Sequence, residues 1–108
     1  AGNVYKSVAS NQQSFLINPF ARLKQAEMEL ALNNYNDAIP LLESIADEKE
    51  TNIFSDKALF LAGNTYQFAL NDFGKAIEIY EILLANFPNS FYLEYVRMQI
   101  NYLRTKLS

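Results

Sequence analysis

The 108-residue chain contains no cysteine and no histidine. Without cysteine it has no disulfide, no thiolate metal site and no cysteine nucleophile. Without histidine it lacks the commonest metal ligand and the side chain that titrates nearest to neutral pH. These absences exclude Ser-His-Asp hydrolysis and histidine-based zinc chemistry. We therefore expect no metal, no cofactor and no stand-alone enzyme activity.

Two further absences narrow the class of partner. The sequence has no long apolar run, so no membrane-inserted segment is predicted. Its nine basic residues are spread along the chain and are outnumbered by twelve acidic ones, for a formal charge of −3. A nucleic-acid binder normally concentrates basic residues on one surface. Nucleic acid is therefore not an expected partner.

The chain does contain an internal repeat. The stretch ALNNYNDAI at 31–39 returns as ALNDFGKAI at 69–77, and the same offset of 38 residues pairs Leu23 with Leu61 and Leu41 with Ile79. Self-similarity at such a period is typical of proteins built from stacked supersecondary units. Each unit is predicted to be a helix, a tight turn and a second helix, giving an all-α fold of stacked antiparallel helix pairs.

Apolar spacing and terminal signals set the expected helix bounds. The first pair is predicted over 19–33, after an Asn18 cap and Pro19, and over 36–48, with Pro40 in the first turn. The second pair begins near 53 and ends before Pro88, because proline cannot continue a helix. Ser90 is then expected to cap a terminal helix over about 91–106.

These bounds imply a division of the chain. Residues 1–18 are interpreted as a partial preceding helix and a linker, since AGNVY at 1–5 echoes AGNTY at 62–66. Residues 19–108 form the predicted domain, with repeat one at 19–50, repeat two at 53–88 and the extra C-terminal helix after them.

The second unit resembles the tetratricopeptide repeat (TPR) family. The residues that carry the resemblance are Leu59, Ala62, Gly63, Tyr66, Ala76 and Pro88. The period of 38 exceeds the usual length of about 34, so the repeats are divergent. The resemblance implies a TPR-like α-solenoid. The FPNS junction before two aromatic residues is also similar to bacterial cell-envelope TPR scaffold proteins, which favours the periplasm or envelope slightly and otherwise leaves the compartment open.

The resemblance implies a non-catalytic interaction module or scaffold, with a peptide-binding groove on the first helix of each pair. The residues implied for this groove are Arg22, Glu29, Lys57, Phe60, Asn64, Gln67 and Phe68. Phenylalanines there would give apolar contacts, and Arg22, Asn64 and Gln67 would hydrogen-bond a peptide backbone or carboxylate. The alternative is that the polar residues face water and the phenylalanines pack against a neighbouring helix.

The last helix carries a second apolar face, formed by Phe91, Tyr95, Met98 and Tyr102. Three interpretations stay open for it: a docking surface for a partner, a self-association face of a homo-oligomer, or the seat of a further repeat. A half-buried aromatic face with nothing bound is equally compatible with the sequence. Two alternative functions follow, a structural or oligomerisation domain and an accessory domain of a larger enzyme.

Overall fold

A computed structural model describes residues 18–46 and 53–107. Every regular element within these ranges is helical, which confirms the all-α class. The predicted partial helix and linker before residue 18, and the acidic stretch at 47–50, lie outside the described residues.

Five α-helices follow one another along the described chain. The first pair is α1 (Pro19–Ala31) and α2 (Tyr35–Ala46), the second is α3 (Ser55–Asn64) and α4 (Phe73–Asn86), and α5 (Leu93–Leu107) follows. A π-helical turn, Thr65–Ala69, continues α3 toward α4. Each helix packs on the next along the chain.

Side-chain contacts divide the helices into two sides. Glu27 of α1 contacts Lys57 of α3, and Phe60 of α3 stacks on Tyr92 just before α5. Helices α1, α3 and α5 therefore form one side of the stack, and α2 and α4 form the other. The buried core between them consists of Leu23, Ala26, Leu42, Ile45, Ala58, Leu59, Ala62, Ala76, Ile79, Tyr80, Leu83, Val96, Ile100 and Leu103.

The repeated turn has a backbone reason. Asn33 and Asn71, which are 38 residues apart, have φ angles of 63° and 55°. Asparagine enters this left-handed region more readily than other residues with a Cβ, because its short polar side chain bonds locally. An asparagine with positive φ thus reverses the chain direction in each unit, Asn33 after α1 and Asn71 after the π turn. This shared requirement explains why the turn sequence is repeated.

The helix caps explain two boundaries. The Asn18 side chain accepts hydrogen bonds from the amides of Phe20 and Ala21, at 3.0 and 3.2 Å. The Ser90 hydroxyl accepts from the Tyr92 amide at 3.1 Å, so residues 91 and 92 form a turn and α5 begins at Leu93 instead of 91.

The position of Pro40 was predicted wrongly. Because α2 begins at Tyr35, Pro40 lies in the second turn of the helix and not in the first. Its ring occupies the place of an amide that would otherwise donate to the carbonyl of Asn36. Pro40 itself is exposed, so water can reach this part of the helix surface.

Candidate functional site

Charged and aromatic side chains of α1, α3 and the π turn reach solvent. We call this surface the open face and define it by Lys24, Glu27, Lys57, Asn64 and Phe68. Phe68 is 61% exposed, and the Lys57 side chain is 41% exposed. Of the residues predicted for the groove, Lys57 and Phe68 thus reach solvent, and Asn64 is half-buried.

Two lysines share one carboxylate on the open face. The Nζ atoms of Lys24 and Lys57 each lie 3.3 Å from an oxygen of Glu27. Partial burial pushes the pKa of the Glu27 carboxyl up, but bonding and attraction from Lys57 and Lys24 outweigh burial and place the pKa below its usual value. The cluster holds α1 against α3 and keeps one net positive charge.

Sequence reasoning missed Lys24 and Glu27. Their spacing of three residues puts them on one helix face, a visible signal for an ion pair. The pairing of Glu27 with Lys57 on another helix has no such signal and depends on how the helices stack.

Asn64 lies at the boundary between the open face and a polar network in the interior. Its Oδ1 atom accepts from the Tyr80 hydroxyl at 2.7 Å and from the Tyr95 hydroxyl at 3.2 Å. Two hydroxyl donors on the oxygen orient the amide, so the Nδ2 group points away from them. Asn64 is half-buried, and its side chain is held by α4 and α5 together.

Gln67 belongs to the same network and not to a groove. It is 4% exposed, its Nε2 donates to Gln99 at 2.6 Å, and its Oε1 accepts from the Tyr80 hydroxyl at 2.8 Å. Tyr80 has one hydroxyl proton, which Asn64 and Gln67 share as acceptors. Gln67 is therefore an interior residue, and its predicted exposure to a peptide is corrected here.

Arg22 is also an interior residue, so its predicted position in the groove is corrected as well. It is 3% exposed, and its Nη1 atom donates to the Ser44 hydroxyl of α2 at 3.1 Å. Ser44 in turn donates to the Leu41 carbonyl at 2.7 Å. The guanidinium thus joins α1 to α2 inside the first pair, where a bound peptide would not reach it.

Glu29 fixes the first turn. One of its carboxylate oxygens accepts from Asn34 at 3.0 Å, and the other accepts from Gln25 at 3.3 Å. These bonds tie α1 to the residue that precedes α2. The geometry gives Glu29 a role in the turn.

Phe60 packs against aromatic residues of the next element. Its ring stacks on Tyr92, with centroids 4.2 Å apart and planes inclined by 16°, and it meets Tyr95 edge-on at 5.3 Å. Such pairs stabilise by about 0.5–1.5 kcal/mol beyond the area they bury. Phe60 is consequently half-buried in the contact between α3 and α5 and offers a partner only part of its ring.

Helix α5 has three distinct sides. Val96, Ile100 and Leu103 are buried in the core. A second side carries exposed polar residues, Glu94, Arg97, Asn101 and Thr105. The third side carries Tyr95, Met98 and Tyr102, and we call these three residues, together with Phe91 of the turn before α5, the α5 stripe.

The α5 stripe is largely open. Phe91 is 93% exposed, Met98 66% and Tyr102 52%, while Tyr95 is half-buried against Phe60. Monomeric proteins rarely leave a row of large apolar side chains in water without an interaction to make.

An open hollow of about 350 Å³ lies between the beginning of α3 and the segment that follows α4. It is lined by Ile53, Asp56, Asn86, Phe87, Pro88, Asn89 and Ser90. Asp56 is the ionisable group among these, and its Oδ2 atom already accepts from the Ser90 hydroxyl at 2.8 Å. The carboxylate in the hollow therefore already has a hydrogen-bond partner, and this bond links α3 to the segment before α5.

The described ranges also bear on metals and membranes. Between residues 18 and 46 and between 53 and 107, acidic side chains do not gather in a group of three or more that could bind a metal ion. In the same ranges no helix combines the length and the apolarity needed to span a bilayer.

Comparison with known proteins identifies the second pair. The family model described as tetratricopeptide repeat matches residues 57–90, from the first turn of α3 to the serine before α5. No curated protein and no solved structure matches the chain. The similarity to bacterial envelope scaffold proteins is not confirmed by these comparisons.

The matched segment is less than half of the chain, and it contains all six residues that carried the resemblance. TPR proteins are in general protein–protein interaction modules and are typically non-catalytic. The match shows that residues 57–90 are similar to a tetratricopeptide repeat, and the repeated helix pairs agree with this similarity.

Proposed function

We propose that this chain is a non-catalytic interaction module whose open face binds an extended segment of a partner protein. The observation that supports the proposal is that the side chains of Lys57 and Phe68, both within the segment matched by the family model, reach solvent, and that half-buried Asn64 lies between them along the chain. Stacked helix pairs leave such a surface because each pair buries its apolar sides against its neighbours.

The polar chemistry of the open face suits a peptide backbone. Because Tyr80 and Tyr95 hold the Asn64 oxygen, the Nδ2 group is a donor with a fixed direction. A donor held in place loses little side-chain entropy when it binds a carbonyl. Fixed donors of this kind recognise main chain and so tolerate a range of side chains.

The remaining groups supply contact area and charge. Phe68 offers an aromatic ring that is already 61% exposed, so a ligand can bury it without first opening the fold. The Lys24–Glu27–Lys57 cluster keeps one positive charge in excess, which can attract a carboxylate of the ligand. The proposed ligand is therefore an extended segment with an apolar side chain opposite Phe68.

The proposal is tested by selecting ligands for the purified 108-residue chain from a random peptide library. The affinities of the recovered peptides are then measured by fluorescence polarisation for the native chain, Phe68→Ala and Lys57→Ala. Ile82→Ala is the matched control, because Ile82 is an exposed apolar residue of α4 on the other side of the stack. We expect Phe68→Ala to weaken binding about tenfold, as truncation of an aromatic anchor does, with Ile82→Ala unchanged.

Two results would overturn the proposal. One is a library selection that enriches no peptide. The other is a set of peptides whose affinity falls as much with Ile82→Ala as with Phe68→Ala.

A further inference from the structure

The polar network beside the open face has fewer hydroxyl protons than O–H···O contacts. The Tyr80 hydroxyl lies within bonding distance of two amide oxygens, 2.7 Å from Oδ1 of Asn64 and 2.8 Å from Oε1 of Gln67. Because this hydroxyl has a single proton, it donates fully to one oxygen at a time. The Tyr95 hydroxyl is the second donor, 3.2 Å from Oδ1 of Asn64.

Burial decides how the two protons are divided. Gln67 is 4% exposed, and its Nε2 atom donates to Gln99 at 2.6 Å. Without a donor the Gln67 oxygen would be unsatisfied in the interior, which costs more than an unsatisfied oxygen that water can reach. Tyr80 is therefore assigned to Gln67. The oxygen of half-buried Asn64 then receives its proton from Tyr95.

We propose that Tyr95 is a positioning residue of the open face, whose hydroxyl fixes the direction of the Asn64 Nδ2 donor. The proposal rests on the proposed function, because it concerns how Asn64 is presented to the same extended segment. Tyr95 belongs to α5, which begins after the segment 57–90 that matches the family model. The residues that prepare the open face for its ligand thus extend beyond the matched repeat.

The Tyr95 ring is itself held in place. It meets Phe60 edge-on with centroids 5.3 Å apart, and Tyr92 stacks on the same Phe60 ring at 4.2 Å. The next residue, Val96, is fully buried and fixes this part of α5 in the core. A hydroxyl on such a ring has a defined position, whereas a water molecule bonded to Asn64 does not. Loss of the hydroxyl should therefore leave the Asn64 amide free to turn.

The first test needs no ligand and follows the mobility of the Asn64 side-chain amide by nitrogen relaxation in the isotope-labelled chain. Tyr95→Phe removes the hydroxyl and keeps the ring that meets Phe60. Tyr92→Phe is the matched control, because it removes a hydroxyl from the other ring on Phe60. We expect an order parameter near about 0.85 in the native chain and in the control, and below about 0.6 in Tyr95→Phe.

The second test is a double-mutant cycle on the affinity of library-selected peptides, measured by fluorescence polarisation. We expect Tyr95→Phe to weaken binding about three- to tenfold, the range that corresponds to one neutral hydrogen bond, with Tyr92→Phe unchanged. In an Asn64→Ala background, Tyr95→Phe should have no further effect, because it acts through Asn64. A purely structural role would instead lower the affinity equally in both backgrounds. Urea unfolding checks that each variant is folded under the assay conditions.

Any of three results would overturn the proposal. The first is an Asn64 side chain that stays as rigid in Tyr95→Phe as in the native chain. The second is an Asn64→Ala variant that binds the peptides as tightly as the native chain does. The third is a Tyr95→Phe effect of equal size with and without Asn64. Failure of the proposed function is seen separately, as a library that enriches no peptide, and the relaxation test then still decides the role of Tyr95.

Discussion

At the scale of single residues, Gly63 shows why a small side chain is needed inside the second pair. A Cβ atom at Gly63 would lie 2.6 Å from Cδ1 of Tyr80, closer than such atoms approach in proteins. The Tyr80 ring is fully buried and hydrogen-bonded at its hydroxyl, so it cannot move aside freely. The glycine of the matched repeat is therefore required by the packing of α4 on α3.

Gly63→Ala is expected to destabilise the fold by about 1–3 kcal/mol, because it overpacks a filled core. Gly74→Ala is the matched change, since a Cβ there would meet nothing within 4 Å and alanine favours the helix. Urea unfolding followed by circular dichroism measures both. Equal stabilities for the two variants would contradict the close approach of Tyr80 to Gly63.

At the residue scale, the sequence separated surface positions from interior ones only in part. Lys57 and Phe68 reach solvent and Asn64 is half-buried, while their grouping into one binding surface stays a prediction. Gln67 was predicted to be on the surface because the prediction assumed α-helical spacing, which the π turn over Thr65–Ala69 changes. No residue in that segment predicts a π turn. Arg22 was misplaced because its bond to Ser44 depends on the packing of α1 against α2.

At the scale of helices and turns, the polar network joins three helices below the open face. Tyr80 of α4 donates to Asn64 and to Gln67, and Gln67 donates to Gln99 of α5. Buried amides of this kind are costly when one partner is lost. The network therefore fixes the packing of α5 against α3 and the orientation of the Asn64 side chain.

Tyr80→Phe is expected to destabilise the chain by about 1–2 kcal/mol at neutral pH, because the Gln67 oxygen loses its donor in the interior. It should also change the response to alkali. Burial, with a smaller effect from Tyr95, holds the pKa of Tyr80 well above its usual value of 10.0.

A pKa that is raised in the folded state gives stability that is fully present below the unfolded value and lost as pH rises beyond it. The native chain should thus lose stability above pH 10.0 more steeply than Tyr80→Phe does. Thermal unfolding between neutral and alkaline pH measures the difference. Parallel curves for the two proteins would contradict the burial of the Tyr80 hydroxyl.

The helices themselves were largely predictable from sequence. Asparagine caps, apolar spacing and Pro88 placed all five, and the α5 start differed because Ser90 caps a turn first. The position of Pro40 could not be predicted from its own identity, since it depended on where α2 begins.

At the scale of the whole molecule, the Lys24–Glu27–Lys57 cluster links the first pair to the second across the open face. Half-exposed ion pairs contribute less than about 1 kcal/mol each. The ion pairs contribute mainly to side-chain orientation, because the bond to Glu27 fixes Lys57 on the surface proposed for binding.

Glu27→Gln is expected to lower the free energy of unfolding by less than about 1 kcal/mol at neutral pH. The Glu27 pKa is lowered in the folded state, so its contribution is present above the ordinary value of 4.5 and disappears as pH falls through the lowered one. The native chain and Glu27→Gln should therefore converge in acid. A double-mutant cycle with Lys57→Met isolates the pair, and a coupling energy of zero at neutral pH would contradict the contact.

The stacking of helix pairs was predictable at this scale because the repeat is visible in the sequence. The partner was not, because a surface such as the α5 stripe shows only that apolar side chains are exposed, and exposure does not name an occupant.

The central claim, that the open face binds an extended segment, is tested most directly by backbone amide NMR of the isotope-labelled chain during titration with a library-selected peptide. We predict that the largest shifts fall on Lys57, Asn64 and Phe68, with small shifts for the outer residues of α4 such as Glu78 and Ile82. Shifts centred on α2 and α4, or spectra that do not change at saturating peptide, would contradict the claim.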